Sequence, residues 1–446
     1  MSAGVRAAFA ALAVAGAACA PAGRPVLPQN AAIETTSRAV SSPIQHVLIL
    51  VQENRSFDNL FATFPGADGA RYGYTHVGKR IALKASPLGT TWVIDHTYAT
   101  YRIDYDRGKM DGFDLGAVYG GTHNARELAY AYVAPALVKP YFALAHQYVL
   151  ADHLFQTQGS GSFVAHQDLI AAGTQLYGTT GLVDYPSDVP WGCDAAPHTV
   201  TSLITAAGRY LTTAGPFPCF SYYTLADEMN QHNVSWKFYT PPLLVPGSSG
   251  LIWNAYDAIS SIRYSAQWTT NVVTPETKVF ADIRGGRLAA VSWVIPDAFN
   301  SDHPGYRHDT GPSWVAAIVN AVGRSTYWKS SAIVVVWDDW GGFYDHVPPP
   351  QLDYGGLGFR VPMLVISPYA KRGYVSHTQY EFASILKFVE DRFGLGRLGN
   401  NDRRAHGIGD AFDFTQAPRR FIPIAAQYSQ AYFERQPPSG LPVDDQ

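Results

Sequence analysis

Two adjacent carboxylates, Asp338-Asp339, close the apolar run Ile333-Val334-Val335-Val336-Trp337. Burying two like charges side by side is costly unless a cation or hydrogen bonds compensate. Metal ligation explains the pair better than a structural turn does. A second apolar run, His46-Val47-Leu48-Ile49-Leu50-Val51, stops at Gln52-Glu53-Asn54-Arg55. Glu53 and Asn54 offer the oxygen donors that hard divalent cations favour; the plainer alternative is a turn in which Asn54 and Asp58 satisfy backbone groups.

A third segment, Gly159-Ser160-Gly161-Ser162-Phe163-Val164-Ala165-His166, leads into Leu169-Ile170-Ala171-Ala172. Small residues ahead of a helix let an anion approach backbone N–H groups at its positive end. Ser162 is then either a helix cap or a nucleophile. An unassisted serine is weak and needs a base or a metal. The Gly-x-Ser-x-Gly elbow of metal-free serine hydrolases is absent around Ser160 and Ser162, so metal activation is the better account. His96, His166, His303, His308 and His346 lie in Gly-, Pro- or Asp-rich settings and are candidate proton donors or phosphate contacts, each against the alternative of an ordinary loop histidine.

These residues need a frame. Continuous apolar runs that end in polar residues read as parallel strands covered on both faces, and open α/β sheets place their sites at such strand ends. Ala290-Val291-Ser292-Trp293-Val294-Ile295, ahead of Pro296-Asp297, is another such run. Between it and the Ile333 run, residues 313–322 have helical spacing with Trp314, Ile318 and Val322 on one face, which makes a β-α-β unit. Met363-Leu364-Val365-Ile366 is a further strand, followed by a helix over 380–393 with Ile385, Leu386, Val389 and Phe393 aligned. The expected fold class is α/β, a largely parallel central sheet flanked by helices. Residues 175–285 are rich in Gly, Pro, Tyr and Trp without clear alternation, and read as a large aromatic-rich insertion forming a lid or substrate wall.

At 446 residues and 47% hydrophobic, the chain can bury a large core. A formal net charge of -3 with 15% charged residues excludes the basic field that long nucleic-acid contacts require. Residues 1–20 combine Arg6 with an Ala-rich apolar run and read as a signal peptide, so export to the periplasm or beyond is expected. Cleavage at a small-x-small site competes with lipid attachment at Cys19. Residues 21–43 read as a leader or linker, 44–435 as the catalytic domain and 436–446 as a loose tail. No other segment has the length of apolar chain that spans a bilayer, so membrane contact is at most peripheral. With Cys19 removed or lipidated, Cys193 and Cys219 remain, a disulfide pair in an oxidising compartment or else two buried thiols.

Taken together, Glu53-Asn54-Arg55-Ser56-Phe57-Asp58, Gly108-Lys109-Met110-Asp111-Gly112-Phe113, Ser301-Asp302-His303-Pro304, Asp338 through Pro349, and Arg360-Val361-Pro362 to Ser367-Pro368 resemble the bacterial phosphoesterase family. That family contains secreted phospholipases C and acid phosphatases within the alkaline phosphatase superfamily, and the resemblance spans residues 44–395. It implies an alkaline phosphatase-like fold. It also implies one divalent metal surrounded by Glu53, Asn54, Ser162, Asp338 and Asp339, with His96, His303 and His346 near the phosphate or leaving group. Asn54, His166 and His308 are the expected substrate contacts, His308 matching the family pattern less clearly. The phospholipase C branch typically has Thr in a Gly-Pro-Thr-x-Pro-Asn stretch where this chain has Ser162, which favours the phosphatase-like branch. The second metal set of alkaline phosphatase-like enzymes does not map cleanly onto the sequence. The expected activity is hydrolysis of phosphate esters, phospholipids included, through a phosphoseryl intermediate. The alternatives are a metal-independent serine esterase and an inactive binding protein on the same scaffold.

Overall fold

The structure is a computed structural model that describes residues 42–440, other than 121–124, 177–178, 244–249 and 251. The leader, Cys19 and most of the linker lie outside the described residues, as does the end of the tail.

An 8-stranded sheet forms the core. Its strands are β1 (His46–Gln52), β2 (Val149–Ala151), β3 (Trp236–Tyr239), β4 (Val272–Val273), β5 (Val291–Val294), β6 (Ser331–Trp337), β7 (Met363–Ile366) and β8 (Tyr374–Ser376). They lie in the order β4-β3-β5-β1-β6-β7-β2-β8. Only β7 runs against the rest, so the α/β, largely parallel expectation holds. The continuous apolar character of β1 and β6 follows from their central place, where both faces are covered: β6 is buried along its whole length.

Pleat alternation shows how the two faces are covered. Trp293 of β5 lies level with Ile49 of β1, which in turn faces Val334 of β6. Its indole Nε1 donates to the Leu169 carbonyl at 3.0 Å, seating α3 (Ser162–Ala171) on that face. Trp337, three residues beyond Val334, points to the opposite face and meets the Tyr141 ring edge-on at 4.9 Å. Tyr141 belongs to α2 (Lys139–Gln147). The β5–β6 crossover helix is α4 (Gly311–Gly323), and α5 (Phe382–Phe393) follows β8. Helix α2 packs with α4, and α3 with α5. Both helices expected from apolar spacing are present, with ends shifted by two residues or fewer.

The segment 175–285, expected to form a lid or substrate wall, builds part of the core sheet. It supplies β3 and β4, which extend the core sheet outward from β5, as well as a separate antiparallel sheet of Thr180–Val183, Ser202–Thr205 and Tyr210–Leu211. Two- and four-residue strands rich in aromatics carry too little alternation to be read from sequence. Cys193 and Cys219 form the expected disulfide within this segment. Among the described residues no helix is long and apolar enough to cross a membrane.

Candidate active site

The parallel register of β1 and β6 brings the two acidic motifs together. Gln52 lies opposite Trp337, so the next residues, Glu53-Asn54 and Asp338-Asp339, emerge side by side at the carboxyl edge of the sheet. The Asp338 amide donates to the Gln52 carbonyl at 2.9 Å, and the Asn54 amide donates to Asp338 Oδ1 at 2.9 Å. Asn54 takes a left-handed conformation (φ 56°), which asparagine tolerates better than most residues. Gly341 lies directly over it: a Cβ there would fall 2.3 Å from the Asn54 carbonyl oxygen.

Ser162 is the first residue of α3, and Gly161 occupies the cap position. The Ser162 hydroxyl therefore does not cap the helix. It donates to Asp339 Oδ2 at 3.0 Å, across 177 residues of chain. The small residues ahead of it are needed for fit, since a Cβ on Gly159 would lie 2.4 Å from the Tyr101 ring.

Glu53, Asn54, Asp338 and Asp339 have no solvent exposure. Burial, and then the neighbouring Asp338 charge, push Asp339 up to about 7. Burial likewise drives Glu53 and Asp338 well above the usual carboxylate range. Among the described residues, Glu53 Oε2, Asn54 Oδ1 and Asp338 Oδ2 are buried and take no hydrogen bond from a backbone, amide, hydroxyl or imidazole donor. Three orphaned oxygen acceptors beside a carboxylate-bound serine form a donor set that fits a hard divalent cation.

Three of the candidate histidines join this group. His96 Nδ1 lies 2.8 Å from the Ile94 carbonyl, which can only accept, so that nitrogen carries a proton; Nε2 lies 2.9 Å from Asn54 Nδ2 and 3.9 Å from Asp339 Oδ2. His166, one turn along α3 from Ser162, places Nε2 3.0 Å from Glu53 Oε1 and 3.8 Å from Asp338 Oδ2. His303 donates Nδ1–H to the Pro304 carbonyl at 2.6 Å, and its ring lies 6.4 Å from that of His96. Burial pushes the His303 imidazole down to about 3, so it stands neutral. Arg55 holds its loop in place: Nε and Nη2 both donate to the Asp302 carbonyl, at 2.9 and 2.6 Å.

Two candidates lie elsewhere. His346 Nδ1 is bound to Asp58 at 2.7 Å and its Nε2 faces Asp68 at 3.2 Å, in a network with Asp345 and the buried Arg360. His308 stacks on Phe299, ring centres 3.7 Å apart. Asp58 also takes backbone amides from Ala70 and His346, and Ser56 caps the short helix α1 (Phe57–Phe61), so this half of the motif organises backbone. Sequence reading missed Trp253, whose ring lies parallel to His166 at 6.4 Å and 5.8 Å from His303. Among the described residues its buried Nε1–H finds no acceptor, and the buried side-chain amide of Asn254 finds no hydrogen-bond partner. Nothing in the local pattern of that segment marks either residue.

Comparison with known proteins places the chain in a family. The sequence model of the Phosphoesterase family matches residues 44–396. Phospholipase C B of Mycobacterium tuberculosis is 27% identical over 445 residues, covering 84% of this chain and 78% of that protein. Non-hemolytic phospholipase C of Pseudomonas aeruginosa is 25% identical over 457 residues, covering 87% of this chain and 60% of its own length. Non-specific phospholipase C1 of Arabidopsis thaliana is 30% identical over a shorter stretch of 150 residues, 28% of each chain.

Proposed function

The chain belongs to the Phosphoesterase family, and from that membership we propose a hydrolase of phosphoric esters in which Ser162 attacks phosphorus and is transiently phosphorylated. The observation that carries this reading is the Ser162 hydroxyl aimed at Asp339 inside a buried cluster of oxygen donors.

In the first displacement, Ser162 Oγ bonds to phosphorus as the ester oxygen leaves on the opposite side, and the hydroxyl proton passes to Asp339 Oδ2. His96 and His303 border the phosphoryl group. His303 is neutral, with its proton on Nδ1 held by the Pro304 carbonyl. The indole N–H of Trp253, unpaired among the described residues, and the amide of Asn254 supply donors for phosphoryl oxygens. In the second displacement water attacks the phosphoserine from the vacated side, so the two inversions give net retention at phosphorus. A divalent cation held by Glu53, Asn54, Ser162, Asp338 and Asp339 would neutralise phosphoryl charge and acidify the serine hydroxyl. His308 and His346 have no part in this mechanism.

The names of the relatives favour a phospholipid diester among the substrates, and the leader pattern supports export, with membrane contact limited to the lipid surface being hydrolysed. The test is one panel with the purified protein: p-nitrophenyl phosphate, bis-p-nitrophenyl phosphate and phosphatidylcholine, each with and without chelator. Chelator-sensitive release of phosphate or phosphocholine is expected. Chelator-resistant turnover of carboxylic esters instead would replace this reading with a metal-free serine esterase.

A further inference from the structure

A second set of ligating side chains lies along the same edge of the sheet. Asp152 follows β2 and His377 follows β8; these strands are parallel neighbours, with Ala151 level with Ser376. His153 is next to Asp152 in the chain. The strand bearing Asp152 is two places from the one bearing Asp338 in the sheet order, about 10 Å at normal strand spacing.

Asp152 is fully buried and receives both imidazoles. His153 Nδ1 lies 2.8 Å from Oδ1, and His377 Nδ1 lies 2.8 Å from Oδ2 and 3.0 Å from Oδ1. One donor atom from each of the three residues falls within 4.8 Å of the others. Nitrogen and oxygen ligands at about 2.0–2.1 Å from a tetrahedral ion stand roughly 3.3 Å apart, so each imidazole nitrogen, now at hydrogen-bond distance from the carboxylate, would move outward by about half an ångström to admit one. An outer partner is also in place: His153 Nε2 faces the Asp68 carboxylate at 3.5 Å, the carboxylate–histidine pairing that orients metal-bound imidazoles. The Asp68 amide in turn holds Asp152 Oδ2 at 2.8 Å.

Arg360 and His346 link the carboxylates of Asp58, Asp68 and Asp345, and Arg360 also donates to the main-chain carbonyl of Asp152, which holds the backbone that presents this set. Two imidazoles and one carboxylate suit a borderline ion such as Zn2+ rather than the hard cation that suits the oxygen-rich Glu53 cluster.

We propose that Asp152, His153 and His377 bind a divalent transition-metal ion, with Zn2+ as the fitting class, at a site separate from the Ser162 centre. His377 is 60% exposed, which leaves the remaining coordination positions open to water or to an incoming anionic group. The ion would tie the ends of β2 and β8 to the loop that carries Asp68.

The test is equilibrium dialysis of chelator-stripped protein against Zn2+ alone, with bound zinc measured per chain. Wild type is expected to bind two equivalents, His377→Ala and His153→Gln one, and Asp338→Asn also one, with the Asp152 site weakened at least about tenfold by loss of either imidazole. The exposed His377 is a safe position to truncate, and unchanged turnover of p-nitrophenyl phosphate by His377→Ala would confirm that the variant is folded. Equal stoichiometry and affinity in wild type and both histidine variants would overturn the site. So would a wild type that binds a single equivalent which Asp338→Asn abolishes.

Discussion

Replacing Ser162 with alanine should separate chemistry from stability. The side chain is almost fully buried and makes one hydrogen bond, to Asp339 Oδ2, while Asp339 Oδ1 keeps the Gly341 amide at 2.7 Å. A hydrogen bond to a charged group contributes about 1.5–3 kcal/mol, so Ser162→Ala should lower unfolding stability by no more than that. The protein should remain folded at ordinary temperatures. Catalysis should respond very differently, because without Oγ no bond to phosphorus can form from the chain. A loss of at least a thousandfold, roughly 4 kcal/mol of barrier, is expected. The assay pairs turnover of p-nitrophenyl phosphate with urea denaturation, and acid-quenched wild type is probed for phosphate on Ser162. Ser162→Thr keeps a hydroxyl and should retain far more activity than Ser162→Ala. A folded Ser162→Ala enzyme within about tenfold of wild type would refute serine as the nucleophile.

Three further outcomes follow from the same contacts. Arg360 is fully buried and donates to both Asp345 oxygens and to the Asp68 and Asp152 carbonyls; Arg360→Met should cost about 3–5 kcal/mol in chemical denaturation, since it strands Asp345 and Asp58 without their cation. His346 is raised to about 9: burial opposes its charge, but the Asp58 hydrogen bond and charge prevail. A raised histidine adds stability that is complete below its ordinary value near 6.5 and lost as pH climbs through 9. Unfolding free energy should therefore fall by up to about 3 kcal/mol between those limits, and His346→Asn should flatten that part of the curve. Gly341→Ala should lower both melting temperature and turnover, because the new methyl would press on the Asn54 carbonyl from a left-handed position (φ 60°); unchanged turnover would mean that Asn54 tolerates displacement.

Strand ends were legible in the sequence because apolar runs are local, and a run that stops at Glu53-Asn54 or Asp338-Asp339 must present those groups at one edge of a parallel sheet. The fold class, both long helices and the cysteine pair were readable for similar reasons, each resting on neighbouring residues or on simple exclusion. Ser162 could not be resolved that way. Its two roles look alike along the chain, and the Asp339 contact that sets it apart from a helix cap joins residues 177 positions apart. The histidines were still less accessible. Asp345-His346 sits just beyond the Asp338-Asp339 pair, yet the turn through Gly341 and Gly342 carries it to Asp58 and Arg360. His166, one helical turn from Ser162, is delivered to Glu53 and Asp338 by the seating of α3 on β5. Trp253 comes from a segment without periodicity and reaches the site because β3 and β4 extend the sheet outside β5. Patterning of neighbouring residues sets which groups stand at strand and helix ends. Which of those groups meet depends on register and packing between distant segments, information that no short stretch of chain contains.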